Sequence, residues 1–394
     1  MDRFGDKVCC NPTVKLKKQE SYPVIDIDII IPGYKTVRSV ESIEYTGQSG
    51  AKFQDHDVLF ARITPCLENG KMAIADTDGH NGIGSTELFV FRGIDDVSDS
   101  DYVYYLLRMK HIRQLAANSM TGASGRQRAD LDFIKRIQWD FPDIEIQKEI
   151  ASVLSVYDDL IEVNNKRIKV LEQMAENLYK EWFVRFRFPG HETAEFENGI
   201  PKGWKVKRLG DYGRVETGKT PSMEVSEYYG DDYLFIKTPE MHGNVFVIDT
   251  EEKLSESGHL SQPKKLLPEN SIMVTCIGTG GIVAINAEPG HTNQQINSII
   301  LDDLTYLEWL FFTCRSMRTT VEMFGATGST MTNLSKGKFE KLKIIEPSIV
   351  LIKQFHMITD PILKEIEKLM RMNQKLSHQR DLLLPRLMGG KLEV

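Results

Sequence analysis

A chain of 394 residues, 41% hydrophobic and 27% charged, is long enough for more than one packed core and has neither the composition of a disordered protein nor that of a fibrous one. Its net charge of -7 argues against a simple nucleic-acid coat protein, because phosphate binding is driven by Lys and Arg. Five cysteines (Cys9, Cys10, Cys66, Cys276, Cys314) form no CxxC pair, so neither a disulfide framework nor a zinc site is indicated, and a reducing cytoplasm is the expected location.

Residues 1–18 lack the apolar segment of a signal peptide, and no apolar run approaches bilayer length, so neither secretion nor membrane insertion is expected. The cations are segregated into three groups: Arg126, Arg128, Lys135 and Arg136; Lys202, Lys205, Lys207 and Arg208; Lys336, Lys338, Lys341 and Lys343. Such groups are commonly solvated surface, but they are also local basic faces on an acidic chain.

In chain order the first half reads as strand patterns at Tyr22-Pro-Val-Ile-Asp-Ile and Asp57-Val-Leu-Phe-Ala-Arg62, then Leu88-Phe-Val-Phe. An amphipathic helical start follows at Asp101-Tyr-Val-Tyr-Tyr-Leu-Leu, then the small-residue loop Thr121-Gly122-Ala-Ser124-Gly125, then Phe133-Ile-Lys-Arg-Ile and Phe141-Pro142. The second half repeats this order. Its counterparts are Tyr233-Leu-Phe-Ile-Lys-Thr, Asn270-Ser-Ile-Met-Val-Thr275, Ser298-Ile-Ile-Leu, Leu304-Thr-Tyr-Leu-Glu-Trp-Leu, Ala326-Thr327-Gly328-Ser329-Thr330 and Lys338-Phe-Glu-Lys-Leu with Glu346-Pro347. The offset stays at roughly 205 to 213 residues, far beyond a solenoid period, so the chain is one domain-plus-helix unit used twice.

Each half leads into a long helix. From Ile146 to Phe183 there is no Pro or Gly, and a stripe runs Leu154, Tyr157, Ile161, Asn164, Ile168, Leu171, Ala175, Leu178, Trp182 in alternating steps of three and four, the spacing of a coiled-coil seam with Asn164 as its polar, register-setting member. The second stretch gives Ile358, Ile362, Glu365, Leu369, Met372, Leu376, Gln379 and Leu383, with Asp360-Pro361 reading as an N-cap and first helical residue that restarts or kinks the helix. Two such helices satisfy each other by packing antiparallel. A helix of about 38 residues spans about 57 Å, which is at most about 17 base pairs, so such a bar would set the distance between two contacts on one duplex. An ordinary dimerisation coiled coil has the same pattern.

Gly213-Arg-Val-Glu-Thr-Gly218-Lys219-Thr220 fits the Walker A pattern, but the preceding segment is largely polar and Pro221 follows at once, where the motif requires a buried strand before and a helix after. The first half has no such loop. GxSxG, HExxH and the tetrad of an amino-methyltransferase are absent, and nine scattered histidines suggest no ligand set, so neither catalysis nor a metal is expected of the chain. A helical scaffold without a nucleic-acid role and a P-loop ATPase remain as alternatives.

With that layout, the sequence resembles the specificity (S) subunit of type I restriction-modification enzymes over essentially its full length. The resemblance is carried by Pro201-Lys-Gly-Trp204-Lys-Val-Lys-Arg-Leu209-Gly-Asp, Thr217-Gly-Lys-Thr-Pro221-Ser, Tyr229-Gly-Asp-Asp-Tyr-Leu-Phe-Ile236, Gly278-Thr-Gly-Gly-Ile and Leu382-Leu-Leu-Pro385-Arg-Leu-Met-Gly-Gly390-Lys-Leu. The first half departs from it, lacking the Pro-x-Gly-Trp opening and starting at Val14-Lys-Leu-Lys. The resemblance implies two mixed α/β target-recognition domains (1–142 and 189–346) alternating with helical spacers (143–188 and 347–394), a pseudo-twofold repeat in which each domain reads one half of an interrupted, asymmetric double-stranded DNA target. It further implies that the helices bind two methyltransferase (M) subunits carrying S-adenosylmethionine, and that restriction (R) subunits carry ATP hydrolysis, its Mg and cleavage.

Base edges are read chiefly by Arg, Lys, Asn and Gln, and phosphate contacts fix register. In the loops of the repeat the candidates are Arg62, Asn69, Lys71, Ser124, Arg126, Gln127 and Arg128 in the first domain. In the second they are Lys219, Lys237, Thr279, Asn293, Gln294, Gln295, Ser329 and Thr330, with Gly122, Gly125, Gly280 and Gly328 allowing close backbone approach to phosphate.

Overall fold

The computed structural model describes residues 1–123, 125–325 and 332–392. The chain forms two compact units, Met1–Val163 with Asn373–Val394 and Asn164–Met372. Each unit therefore takes one α/β body together with part of both long helices, whereas the division expected from sequence runs in four consecutive segments.

In the first unit, Val58–Ala61 is buried at every residue and Leu88–Gly93 at its first four, the continuous apolar run of a sheet covered on both faces. Alternate residues serve different cores. Phe60, Phe89 and Phe91 face Phe4, Tyr102 and Leu106, while Leu59, Leu88 and Val90 join Ile25, Phe53 and Ala73. These strands lie in a five-stranded sheet of order Val8–Cys10, Leu88–Gly93, Val58–Ala61, Met72–Asp76, Thr36–Arg38, in which only the last pair is parallel. A second sheet runs Glu41–Glu44, Ser21–Ile25, Gly82–Gly84, Ala51–Phe53, with Ser21–Ile25 and Gly82–Gly84 parallel. Asp99 caps the covering helix Ser100–Arg108 by accepting from the Tyr102 N–H at 2.9 Å.

The second unit has the same topology. Its five-stranded sheet runs Gly213–Thr217, Ile296–Leu301, Ile272–Thr275, Val283–Asn286, Phe246–Val247, again with a single parallel pair at the end. The companion sheet runs Tyr229–Gly230, Lys253–Leu254, Tyr233–Ile236, Gly290–Thr292, with the last pair parallel. A single-residue bridge from Leu267 to Gly290 stands where Ala51–Phe53 pairs in the first unit.

This topology corrects the reading of the first copy's opening. Asp2–Arg3 pairs with Gln138–Trp139 as Lys205–Arg208 pairs with Lys343–Glu346, so Arg3-Phe4-Gly5-Asp6 is the counterpart of Arg208-Leu209-Gly210-Asp211. The repeat is thus already under way at Asp2, ahead of Val14. Both glycines sit at a close approach: a Cβ on Gly5 would lie 2.8 Å from Lys135 Cβ, too near to fit without a shift, and one on Gly210 would make a tight contact of 3.3 Å with Glu340 Cβ.

The first long helix is Ile144–Tyr179, continued by a π turn over Lys180–Val184. The second is a single helix, Ile349–Met388, that begins twelve residues before Pro361 and contains it, so the expected restart at Asp360-Pro361 does not occur. No helix among the described residues is long and apolar enough to cross a membrane.

Candidate nucleic-acid interface

In the first unit, backbone hydrogen bonds draw two loops together beside the end of strand Val58–Ala61. Ala61 N–H donates to Lys71 O (3.0 Å), Thr64 N–H to Gln127 O (3.0 Å) and Ala129 N–H to Arg62 O (2.8 Å), while Thr121 and Arg128 exchange bonds of 3.0 and 2.9 Å. Arg62, Lys71, Gln127 and Arg128 are thereby brought into one cluster, with Asn69 and Arg126 exposed on the same two loops. Ser124 lies outside the described residues.

Two of these cations are engaged within the protein. Arg128 donates in a fork to Glu87, Nε to Oε2 at 2.8 Å and Nη2 to Oε1 at 2.6 Å, and this bond, aided by the charges of Arg128 and Arg62, holds the Glu87 carboxyl below the usual range. Lys71 Nζ donates to Ile27 O at 2.9 Å. The Arg62 guanidinium stacks 4.9 Å from the Phe89 ring centroid, and its Nε is buried without a partner among the described residues. Arg126 and Asn69 have no side-chain partner among the described residues, which leaves them available to a ligand. Glu87 was not anticipated, although the repeat held the signal: it precedes Leu88 as Gln295 precedes Ile296.

In the second unit the run Asn293-Gln294-Gln295 joins strands of the two sheets. Gln295 O accepts from Cys276 N–H (2.7 Å) and Ile277 N–H (3.2 Å), Thr292 O from Lys219 N–H (2.9 Å) and Ile236 O from Asn293 N–H (3.1 Å), so the loops carrying Lys219, Lys237, Thr279 and Gln295 converge. Asn293 is buried, and its Nδ2 donates to Gln295 Oε1 (3.1 Å), which also accepts from Thr238 (3.2 Å). Gln294 is exposed, with Oε1 accepting from Thr220 Oγ1 at 2.7 Å. Lys219 and Thr279 are exposed, whereas Lys237 pairs with Glu252 at 3.0 Å. Gly328, Ser329 and Thr330 lie outside the described residues.

The Walker-like segment is not a phosphate loop. Gly213–Thr217 is a strand paired along its whole length with Ile296–Leu301, and no helix opens at Lys219-Thr220. Gly218 is required for another reason, since a Cβ there would lie 2.2 Å from Asn293 O and from Thr292 Oγ1.

Within each unit the two long helices run antiparallel. In the second unit Arg167 pairs with Glu365 (3.1 Å) while Trp182 packs on Phe355 (ring centroids 5.9 Å apart), Ile168, Leu171, Ala175, Leu178 and Ile362 lie in or against the same core, and Leu369 is buried. In the first unit Leu154 shares a core with Leu383, Leu384 and Leu387. Ile161 and Asn164 are buried, and Tyr157 and Leu376 half-buried. Ile358 and Met372 are corrections: both are exposed, as is Gln379. Leu369 is buried as read, but most of the other buried positions, Thr359, Leu363, Ile366 and Arg380, lie one residue further on, and a search for apolar side chains passes over a register whose inward members include a threonine and an arginine.

Arg380 is buried because Asp158 receives it. The two form a short ion pair, both side chains 2% exposed, with Tyr105 donating to the other Asp158 oxygen at 2.5 Å and Arg380 Nε donating to Asp381 at 3.0 Å. Burial first, and then the Asp158 charge, push the Tyr105 hydroxyl far above its ordinary value, so it remains a donor.

Two copies of one α/β unit, each presenting a polar loop cluster and each clasped by a pair of antiparallel helices, define a duplicated recognition scaffold. The family model described as the type I restriction modification DNA specificity domain matches residues 9–173 and 201–373, and the chain belongs to that family. It is similar to the type I restriction enzyme HindI specificity subunit of Haemophilus influenzae (30% identical, covering 88% of each chain). It is also similar to the MjaIX specificity subunit of Methanocaldococcus jannaschii (28% identical, covering 75% of this chain and 69% of that one). The crystal structure of a type I restriction-modification S subunit from M. genitalium has the same fold, with a TM-score of 0.54 at 14% identity over 98% of this chain and 95% of that one. The chain is thus the DNA specificity subunit of a type I restriction-modification system, the non-catalytic part of that enzyme.

Proposed function

We propose that each α/β copy reads one half of a bipartite, asymmetric double-stranded target and that the helices fix the distance between the halves. The observation that carries this reading is a five-stranded sheet of the same order and direction in both copies with different side chains in the equivalent loops: Glu87 with its Arg128 fork in one, Gln295 with its Thr238 and Asn293 bonds in the other. A shared scaffold with divergent loop chemistry suits two readers of different sequences.

In the first copy Arg126, Gln127 and Asn69 face the DNA, with Arg62, Lys71 and Arg128 supporting or neighbouring them; Ser124 remains a further candidate from the sequence. In the second Gln294, Lys219 and Thr279 do so, with Lys237, Asn293 and Gln295 behind them; Ser329 and Thr330 remain further candidates from the sequence. Exposed glutamine and arginine offer the donors that purine edges accept.

The helices dock two methyltransferase subunits. Along Ile144–Tyr179 a second apolar stripe, Ile146, Val153, Val156, Leu160 and Val163 in the first unit and Val170 and Met174 in the second, follows heptad spacing and is 37–57% exposed. S-adenosylmethionine, ATP and Mg belong to the partner subunits, and restriction subunits join through the assembled complex. The test is to map methylated bases genome-wide in cells with and without this gene, together with the M subunits: the reading expects one interrupted motif to lose methylation when the gene is removed, and an unchanged pattern would reject it.

A further inference from the structure

We propose that Glu308, His356 and Asp360 form a site for one first-row transition-metal dication of the zinc class, tying the helix Leu307–Ser316 to the helix Ile349–Met388. The three side chains each offer one donor, and these atoms all lie within 4.8 Å of one another. His356 and Asp360 are four residues apart on one helix and so share a face, and Glu308 reaches them from the first turn of the other helix. His356 Nδ1 and Glu308 Oε2 are 2.7 Å apart. Metal–ligand bonds of about 2.0 to 2.2 Å place donors roughly 3 to 3.5 Å from each other, so small side-chain rotations are enough to admit an ion.

The donor set selects the class of ion. One imidazole nitrogen with two carboxylates suits Zn, Mn, Co or Ni, whereas Mg and Ca favour all-oxygen shells. Access and neutralisation also fit. The Glu308 side chain is 1% exposed, a position in which a carboxylate needs a compensating charge, while His356 at 31% and Asp360 at 27% open the cluster to water and to an entering ion. Lys364 lies 2.9 Å from Asp360 but is 72% exposed and free to turn into solvent.

The duplication supplies an internal comparison. At an offset of about 205 residues, His356 and Asp360 correspond to Ala151 and Ser155, and the first unit has the same topology without either ligand. The repeated scaffold therefore does not require these side chains, and metal binding gives a reason for them in one copy.

The full chain, carrying no affinity tag and stripped with chelator, is titrated with Co2+ by visible absorption and with Zn2+ by calorimetry, beside His356→Ala, Asp360→Asn and Glu308→Gln. One ion per chain is expected, with at least about a tenfold loss of affinity in each variant and a Zn2+-dependent rise in melting temperature that the variants lack. Asp360→Asn is half-buried and isosteric, so it reports on the site even if Glu308→Gln disturbs packing; circular dichroism verifies its fold. Absence of saturable Co2+ uptake by the parent chain, or equal uptake by parent, His356→Ala and Asp360→Asn, overturns the proposal.

Discussion

Asp158 and Arg380 stand 222 residues apart in the chain and meet as a buried ion pair in the first unit. At the equivalent seam positions of the second unit stand Leu363 and Ala175, both buried in an apolar core. One scaffold therefore closes its helix pair by charge in one copy and by apolar packing in the other.

A buried charge whose partner is removed costs far more than the pair contributes. Arg380→Ala alone is expected to destabilise the first unit by about 3–5 kcal/mol, and the double variant Asp158→Leu with Arg380→Ala, which copies the second unit, to recover most of that loss. Urea denaturation of the three proteins checks it. A double variant no more stable than the single one would show that the ion pair itself, not its completion, stabilises the seam.

His291 is fully buried, with Nε2 3.1 Å from His259 Nδ1. Burial, and secondarily the His259 charge, push its pKa from an ordinary 6.5 down to about 4. As pH falls the unfolded chain takes up this proton before the folded one, so the group destabilises the fold progressively between pH 6.5 and about 4 and has no effect above that window. Denaturation midpoints of the parent chain should fall more steeply across this window than those of His291→Asn; parallel profiles would contradict the assignment.

With a net charge of -7, the purified chain should bind DNA weakly and with little sequence preference, gaining affinity when M subunits contribute basic surface. Fluorescence anisotropy with a labelled duplex, at two salt concentrations and with or without M subunits, measures this. Tight, sequence-specific binding by the chain alone is the contrary outcome.

Leu160 is 47% exposed on the outer heptad stripe. Leu160→Asp should abolish co-purification with the methyltransferase subunit while leaving the melting temperature within a degree or two, because the position lies outside the intrachain cores. Retained co-purification would place M docking elsewhere.

The duplication was legible in the sequence because strand and helix patterns recur in one order, and the shared topology reflects it. The first copy's opening was not, because the match between Arg3-Phe4-Gly5-Asp6 and Arg208-Leu209-Gly210-Asp211 is only four residues long and becomes evident only from the strand pairing beside it. Hydrophobic spacing located the seam of the first helix but misplaced the second by about one residue where Thr359 and Arg380 turn inward, since a buried polar side chain is identified by its partner and not by its own type. For the same reason Asp158 and the Glu308–His356 contact were invisible, since each depends on residues distant in the chain, whereas Glu87 could have been found from its place in the repeat.

The central claim is that the two copies read separate half-targets. Genome-wide mapping of methylated bases in cells expressing Arg126→Ala or Gln294→Ala, each with the M subunits, tests it most directly. The account predicts that each variant relaxes or weakens one half of the motif, a different half for each, with the other half and the spacing unchanged. If either substitution degraded both halves equally, the division of labour between the copies would be wrong.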